Sequence, residues 1–200
     1  MASRLARLGQ LDIKKTLFLL CDIQDKFRPG MKLFDQMVNN SKKLVAASKQ
    51  LDVPLIVSEH YPEKLGNIVK DLDVSHAKMI YGKTLFSMAT PEMRAKVKEL
   101  FPTDLESIVL FGLESHICLE QTAVDMCDMG YQVHIAADCA MSRSLEDRAI
   151  AMQRLREIGC HITTSESIIF KLMKDKNHPK FNEVRKLVTF TSEDTGLSKL

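Results

Sequence analysis

Thr16-Leu17-Phe18-Leu19-Leu20-Cys21, followed at once by Asp22, is the stretch that decides the fold. An uncharged apolar run of this length reads as a buried strand, with an acid waiting at its exit. Outward from it, Phe34, Met37, Val38, Val45 and Leu51 mark one face of a helix. A second strand is predicted over residues 54–58 and a third over 78–81. A fourth, over 107–111, is apolar without interruption, which implies cover on both sides. A fifth follows over 131–137 and a short sixth over 161–163. Thr90-Pro91-Glu92 opens one intervening helix: Thr caps, Pro suits the first helical position, and the acid favours the positive end of the dipole. Another helix is predicted over 118–129, stopped by Gly130. A third starts at Ser144 and Asp147, carries Ala149, Met152, Leu155 and Ile158, and ends at Gly159. Two helical stretches close the fold near Val188. Strand–helix alternation along the whole chain predicts a three-layer α/β/α sandwich around a six-stranded parallel sheet.

Composition agrees with one such domain. Of 200 residues 45% are apolar, enough for one sizeable core and too few for two. Residues 14–190 form the predicted domain, 1–13 an N-terminal extension, and 191–200 a polar tail. With 28 Lys and Arg against 26 Asp and Glu, the formal charge of +2 excludes nucleic-acid binding by charge alone. The apolar run from Leu17 to Cys21 is far too short to span a membrane. Cys21, Cys118, Cys127, Cys139 and Cys160 are odd in number and irregularly spaced, which argues against a disulfide framework and fits a reducing compartment. No G-x-G-x-x-G or phosphate-loop sequence occurs, so no nucleotide cofactor is expected.

In a parallel sheet the site lies beyond the carboxyl ends of the strands. Those ends carry Asp22, then Glu59, His60 and Tyr61, then Lys83, then Gly112-Leu113-Glu114-Ser115-His116-Ile117-Cys118. An Asp, a Lys and a Cys at one edge suit a cysteine nucleophile. Cys118 falls in the first turn of the predicted helix, where free N–H groups and the dipole favour a thiolate. Lys83 adds positive charge, and Asp22 is placed to take and return protons. A core Cys118 beside a surface Asp22–Lys83 ion pair fits the same spacing. Spacing alone leaves both readings open.

The residues also carry a resemblance. Asp22-Ile23-Gln24-Asp25-Lys26-Phe27 is similar to the D-x-Q-x-x-F start of the isochorismatase-like cysteine hydrolases. Lys83-Thr84-Leu85-Phe86-Ser87-Met88 resembles the K-x-x-F-S-M segment of their isochorismatase domain-containing subgroup. The run from Gly112 to Cys118 resembles the G-x-E-x-x-x-C element, and Glu59-His60-Tyr61-Pro62 with Leu65-Gly66 resembles a turn of the same subgroup. The four segments occur in order on predicted strand ends, and the likeness covers residues 14–190. It implies an isochorismatase-like fold and a metal-independent Cys118–Asp22–Lys83 triad without cofactor. The substrate class it implies is a small amide, ureide or related carbonyl compound. It further implies a cis peptide between Leu113 and Glu114, and an oxyanion hole from the backbone N–H groups of Glu114 and Cys118. Dimers or tetramers are common in the family. A member retained for binding a ligand or partner, with little turnover, is the alternative.

Three smaller expectations complete the reading. Phe27, Tyr61 and Phe86 are candidates for an aromatic substrate pocket, with core packing an equal explanation for Phe86. Zinc-dependent relatives hold the ion through a D-x-H pair after the second strand. Here Glu59 and Tyr61 occupy those positions and His60 is out of phase, so no metal is expected; His60 and His116 read as pocket wall or surface. Finally, Ser198-Lys199-Leu200 spells a peroxisomal address, which predicts import into peroxisomes or a related microbody such as a glycosome, with the import receptor as a transient partner. A coincidental tripeptide on a cytosolic protein is the alternative.

Overall fold

The strands β1 (Thr16–Cys21), β2 (Leu55–His60), β3 (Met79–Lys83), β4 (Ser107–Leu113), β5 (Gln132–Met141) and β6 (His161–Thr163) build one sheet in the computed structural model, which describes residues 3–197. Every pairing is parallel and the order is β3-β2-β1-β4-β5-β6. The chain therefore winds outward from β1 to β3, then returns to lay β4 against the other side of β1. That reversal opens a crevice between the carboxyl ends of β1 and β4. All six residues of β1 are buried, as a central strand covered on both faces requires.

Alternate residues of β1 face opposite layers. Phe18 and Leu20 pack with α2 (Phe34–Gln50) and α7 (Ser165–Met173). Leu17, Leu19 and Cys21 pack with α4 (Pro91–Leu100), α5 (Glu120–Asp128) and α6 (Leu145–Glu157). The short helices α1 (Arg4–Arg7), α3 (Pro62–Leu65) and α8 (Phe181–Val184) complete the chain. At α4 the sequence signal works as read: Thr90 Oγ1 accepts from the Met93 N–H at 3.2 Å, and Pro91 begins the helix.

Three boundaries differ from the sequence reading. β3 runs on to Lys83, so the lysine ends the strand instead of following it. β5 continues past Asp138 to Met141, because Ser165 satisfies that buried acid through its N–H at 2.7 Å and its hydroxyl at 2.5 Å. Cys118 lies in a wide π-turn, Ser115–Leu119, and α5 begins only after it. In the predicted extension and tail, Leu11 is a core residue and Thr195 is buried. No helix of the described residues is long and apolar enough to cross a membrane.

Candidate active site

Asp22 leaves β1 in the left-handed region, at φ 51°, which turns its carboxylate into the crevice. Both oxygens are held by donors. Oδ1 accepts from the Ser58 hydroxyl at 2.7 Å, and Oδ2 accepts from Lys83 Nζ at 2.7 Å and from the Cys21 thiol at 3.5 Å. The Lys83 ammonium also donates to the carbonyls of Leu85 and Phe86, at 3.1 and 2.9 Å, so all three of its protons are used. Burial pulls the Lys83 pKa down, but Cys21, Asp22 and Cys118 around it outweigh that effect and raise it. The lysine is therefore a fixed cation at the floor of the site. Burial, a hydrogen bond with Cys118 and the Asp22 charge push the Cys21 thiol well up, so it remains a donor.

Cys118 is 6% exposed and faces this pair. Its sulfur, an Asp22 carboxylate oxygen and a His60 ring nitrogen all lie within 4.8 Å of one another. Gly112 permits the approach: its φ is +123°, and a Cβ there would stand 2.0 Å from the Cys21 carbonyl oxygen. The Leu113–Glu114 peptide bond is cis. The Glu114 carboxylate accepts from the Arg143 N–H at 3.0 Å and from Arg143 Nε at 3.1 Å. It ties the end of β4 to the loop before α6.

The remaining motif residues hold the frame. Gln24 accepts the His60 N–H at 2.7 Å and donates to the carbonyls of His60 and Gly66, fastening the end of β2 to β1. Ser87 donates to Asp125 at 2.6 Å, and the Met88 N–H donates to Thr122, whose hydroxyl donates to the Cys118 carbonyl at 2.6 Å. The segment after β3 is thereby docked on α5, the helix that follows Cys118. Glu59 accepts from Asn67 and from the Ile68 N–H, and shapes the loop after β2.

The candidate pocket residues separate. Phe27 is half-buried and packs on the α2 side of the core. Tyr61 is 43% exposed and lines a cleft of about 380 Å³ with Pro62, Lys83 and Leu85. Phe86 is 49% exposed and stacks on His60, with ring centroids 5.5 Å apart. His116 is engaged with Ser142 at 2.9 Å and points its other nitrogen toward Asp147. His60 is the residue that spacing undervalued: burial and the Lys83 charge lower its pKa, and its buried Nδ1 has no partner among the described residues. The period of β2 puts it on the Ser58 side of the strand, which is the signal that could have found it.

Asp22, His60 and Cys118 are also the donors that come close enough to share a metal ion among the described residues. Sulfur, imidazole and carboxylate suit zinc. The Lys83 ammonium on Asp22 opposes a second cation there, because like charges at short range repel.

An open parallel sheet with this strand order, and an Asp–Lys pair beside a cysteine in its switch-point crevice, defines an isochorismatase-like α/β hydrolase. The chain belongs to that family: residues 16–167 match the isochorismatase domain. It is similar to isochorismatase domain-containing protein 1 of Danio rerio, 41% identical over 190 residues, 95% of this chain and 66% of that protein. The chain thus spans just under two thirds of that relative. Isochorismatase domain-containing protein 2 of Xenopus laevis is 40% identical over 99% of this chain and 95% of that one. Among solved structures, the MAR1 ribonuclease of Caenorhabditis elegans is 35% identical, with a TM-score of 0.88 over 94% of this chain and 96% of that one.

Proposed function

We propose that this hydrolase acts on a small amide, ureide or related carbonyl compound through Cys118, Asp22 and Lys83, without a metal. The observation that carries the reading is the Cys118 sulfur within 4.8 Å of a carboxylate already held by Ser58 and Lys83. Asp22 takes the thiol proton as the sulfur attacks the carbonyl carbon. The backbone N–H groups of Glu114 and Cys118 receive the developing oxyanion. Asp22 returns the proton to the leaving nitrogen, and water then cleaves the thioester-like intermediate. Lys83 keeps Asp22 oriented and offsets the thiolate charge. His60, held neutral, offers its free nitrogen to a polar group of the substrate.

Iodoacetamide labelling with peptide mapping tests the assignment. Cys118 reacts first among the five cysteines, and Cys118→Ala abolishes turnover on an amide and ureide panel without unfolding the protein. Even labelling of all five, or slowest labelling at Cys118, overturns the nucleophile. An RNA substrate belongs in the panel, because the nematode relative is named a ribonuclease. Chelator leaves turnover unchanged; loss restored by zinc moves the chemistry to a metal held by Asp22, His60 and Cys118. A reactive Cys118 with no turnover favours the binding member instead.

We further propose a homo-oligomer, tested by light scattering, and delivery to a microbody through Ser198, Lys199 and Leu200, which lie outside the described residues. Fluorescent protein fused to the N-terminus becomes punctate, and deleting Leu200 disperses it. Diffuse signal from both returns the enzyme to the cytosol.

A further inference from the structure

Two cysteines outside the catalytic crevice meet at the far end of the helix that follows the nucleophile. Cys127 lies in the last turn of α5, and Cys160 comes directly after Gly159, at the entrance to β6. Their sulfurs are 3.8 Å apart. Cys127 is half-buried, whereas Cys160 is buried. A hydrogen bond from Cys160 holds the Cys127 thiol below its usual range, and the same bond together with burial pushes Cys160 up. One thiol is thus only partly buried and thiolate-prone, and the other is protonated, buried and 3.8 Å from it. That is the arrangement of an attacking thiol and a resolving thiol.

We infer that Cys127 and Cys160 form a reversible oxidation site, with a hydroperoxide as the oxidant. The Cys127 thiolate attacks the peroxide oxygen, the O–O bond breaks, and the departing oxygen leaves as water or alcohol after taking a proton. Cys127 is then a sulfenic acid. The Cys160 sulfur attacks it, the S–O bond breaks, and hydroxide leaves as water with the Cys160 proton. Two thiols lose two electrons in all, and the peroxide gains them. Closing the S–S bond to about 2.05 Å asks the sulfurs to move roughly 1.8 Å toward each other. The bond ties the end of α5 to the start of β6 around the intervening β5 and α6. A dithiol reverses it by exchange.

The test treats the intact protein with a small excess of hydrogen peroxide, blocks free thiols, and maps peptides by mass spectrometry. The expected result is a Cys127–Cys160 cross-linked peptide, 2 Da lighter than the two thiol peptides together, that disappears after dithiothreitol. C160S strands the first step, so dimedone adds to Cys127, and oxidised wild type melts above C127S treated alike. Free, fully alkylated Cys127 and Cys160 after oxidation, or no dimedone adduct in C160S, overturns the inference. Cys21 and Cys118 also adjoin, inside the crevice, and the peptide map separates that pair. The readout is a covalent link and not turnover, so it stands apart from the catalytic reading.

Discussion

At the scale of single residues, Lys83 and Asp22 form an ion pair at 2.7 Å in the floor of the crevice. Both side chains are fully shielded from solvent. Taking two charges out of water is costly, and here the cost is offset by a short ion pair, by the Leu85 and Phe86 carbonyls on Lys83, and by the Ser58 and Cys21 donors on Asp22. Removing one partner leaves the other charged and unpaired. Lys83→Met, which keeps the stem, is expected to lower stability by about 3–5 kcal/mol in urea unfolding. It also slows alkylation of Cys118 at neutral pH, because the cation beside Asp22 is lost. Lys83→Arg keeps the charge but not the space. Alkylation of Lys83→Met at the wild-type rate would make the lysine a structural strut only, whatever its effect on stability.

Single elements show what could be read locally and what could not. β1, β4 and the Thr90 cap are local patterns, an apolar run or a capping triplet, so their residues announce them. The second half of β5 is hidden because Asp138 interrupts the apolar run, and its partner Ser165 is far along the chain. The π-turn at Cys118 is hidden because one extra residue in a turn leaves apolar spacing almost unchanged. Asp22, Lys83 and Cys118 were legible as strand-end residues, whereas His60 depended on knowing that β2 turns its Ser58 face to Asp22. A second histidine matters at this scale. His134 of β5 stands beside His161 of β6, with ring centroids 4.6 Å apart, and neither ring nitrogen of His134 has a partner among the described residues. Burial first, then His161 and Lys171, bring its pKa down from 6.5 to about 3. The folded protein thus keeps it neutral while the unfolded chain binds a proton below pH 6.5. Its contribution is whole above that pH and is lost progressively as pH falls toward 3, by a few kcal/mol. His134→Leu should be as stable as wild type at pH 7.5 and visibly more stable at pH 5. Parallel losses in the two proteins over that range would place the acid sensitivity elsewhere.

Over the whole molecule, the segment that composition marks as a polar tail closes the sandwich as far as Leu197. Thr191, Glu193 and Asp194 stay exposed, but several groups of the segment pair with the body, and Thr195 is buried. Asn40 of α2 donates to the Glu193 carbonyl at 3.0 Å and accepts its N–H at 3.0 Å, while Lys43 reaches the Phe190 carbonyl and the Ser192 hydroxyl. Arg148 of α6, fully buried, donates to the carbonyl and hydroxyl of Thr195 and, at 2.6 Å, to the carbonyl of Ala137 in β5. Burial lowers its pKa to about 10, so it remains charged and needs those acceptors. The segment therefore joins helices of opposite layers, and its contribution should couple to Arg148. Ending the chain after Phe190 is expected to cost about 3 kcal/mol, since it strips acceptors from a buried charge. Arg148→Met costs a similar amount in the full chain. In the shortened chain the same substitution should cost little or even stabilise, because it removes a cation already left short of partners. A coupling above about 1 kcal/mol in this double-mutant cycle, measured by urea unfolding, is the expected result. Additive losses would mean that residues 191–197 rest on the body without depending on Arg148.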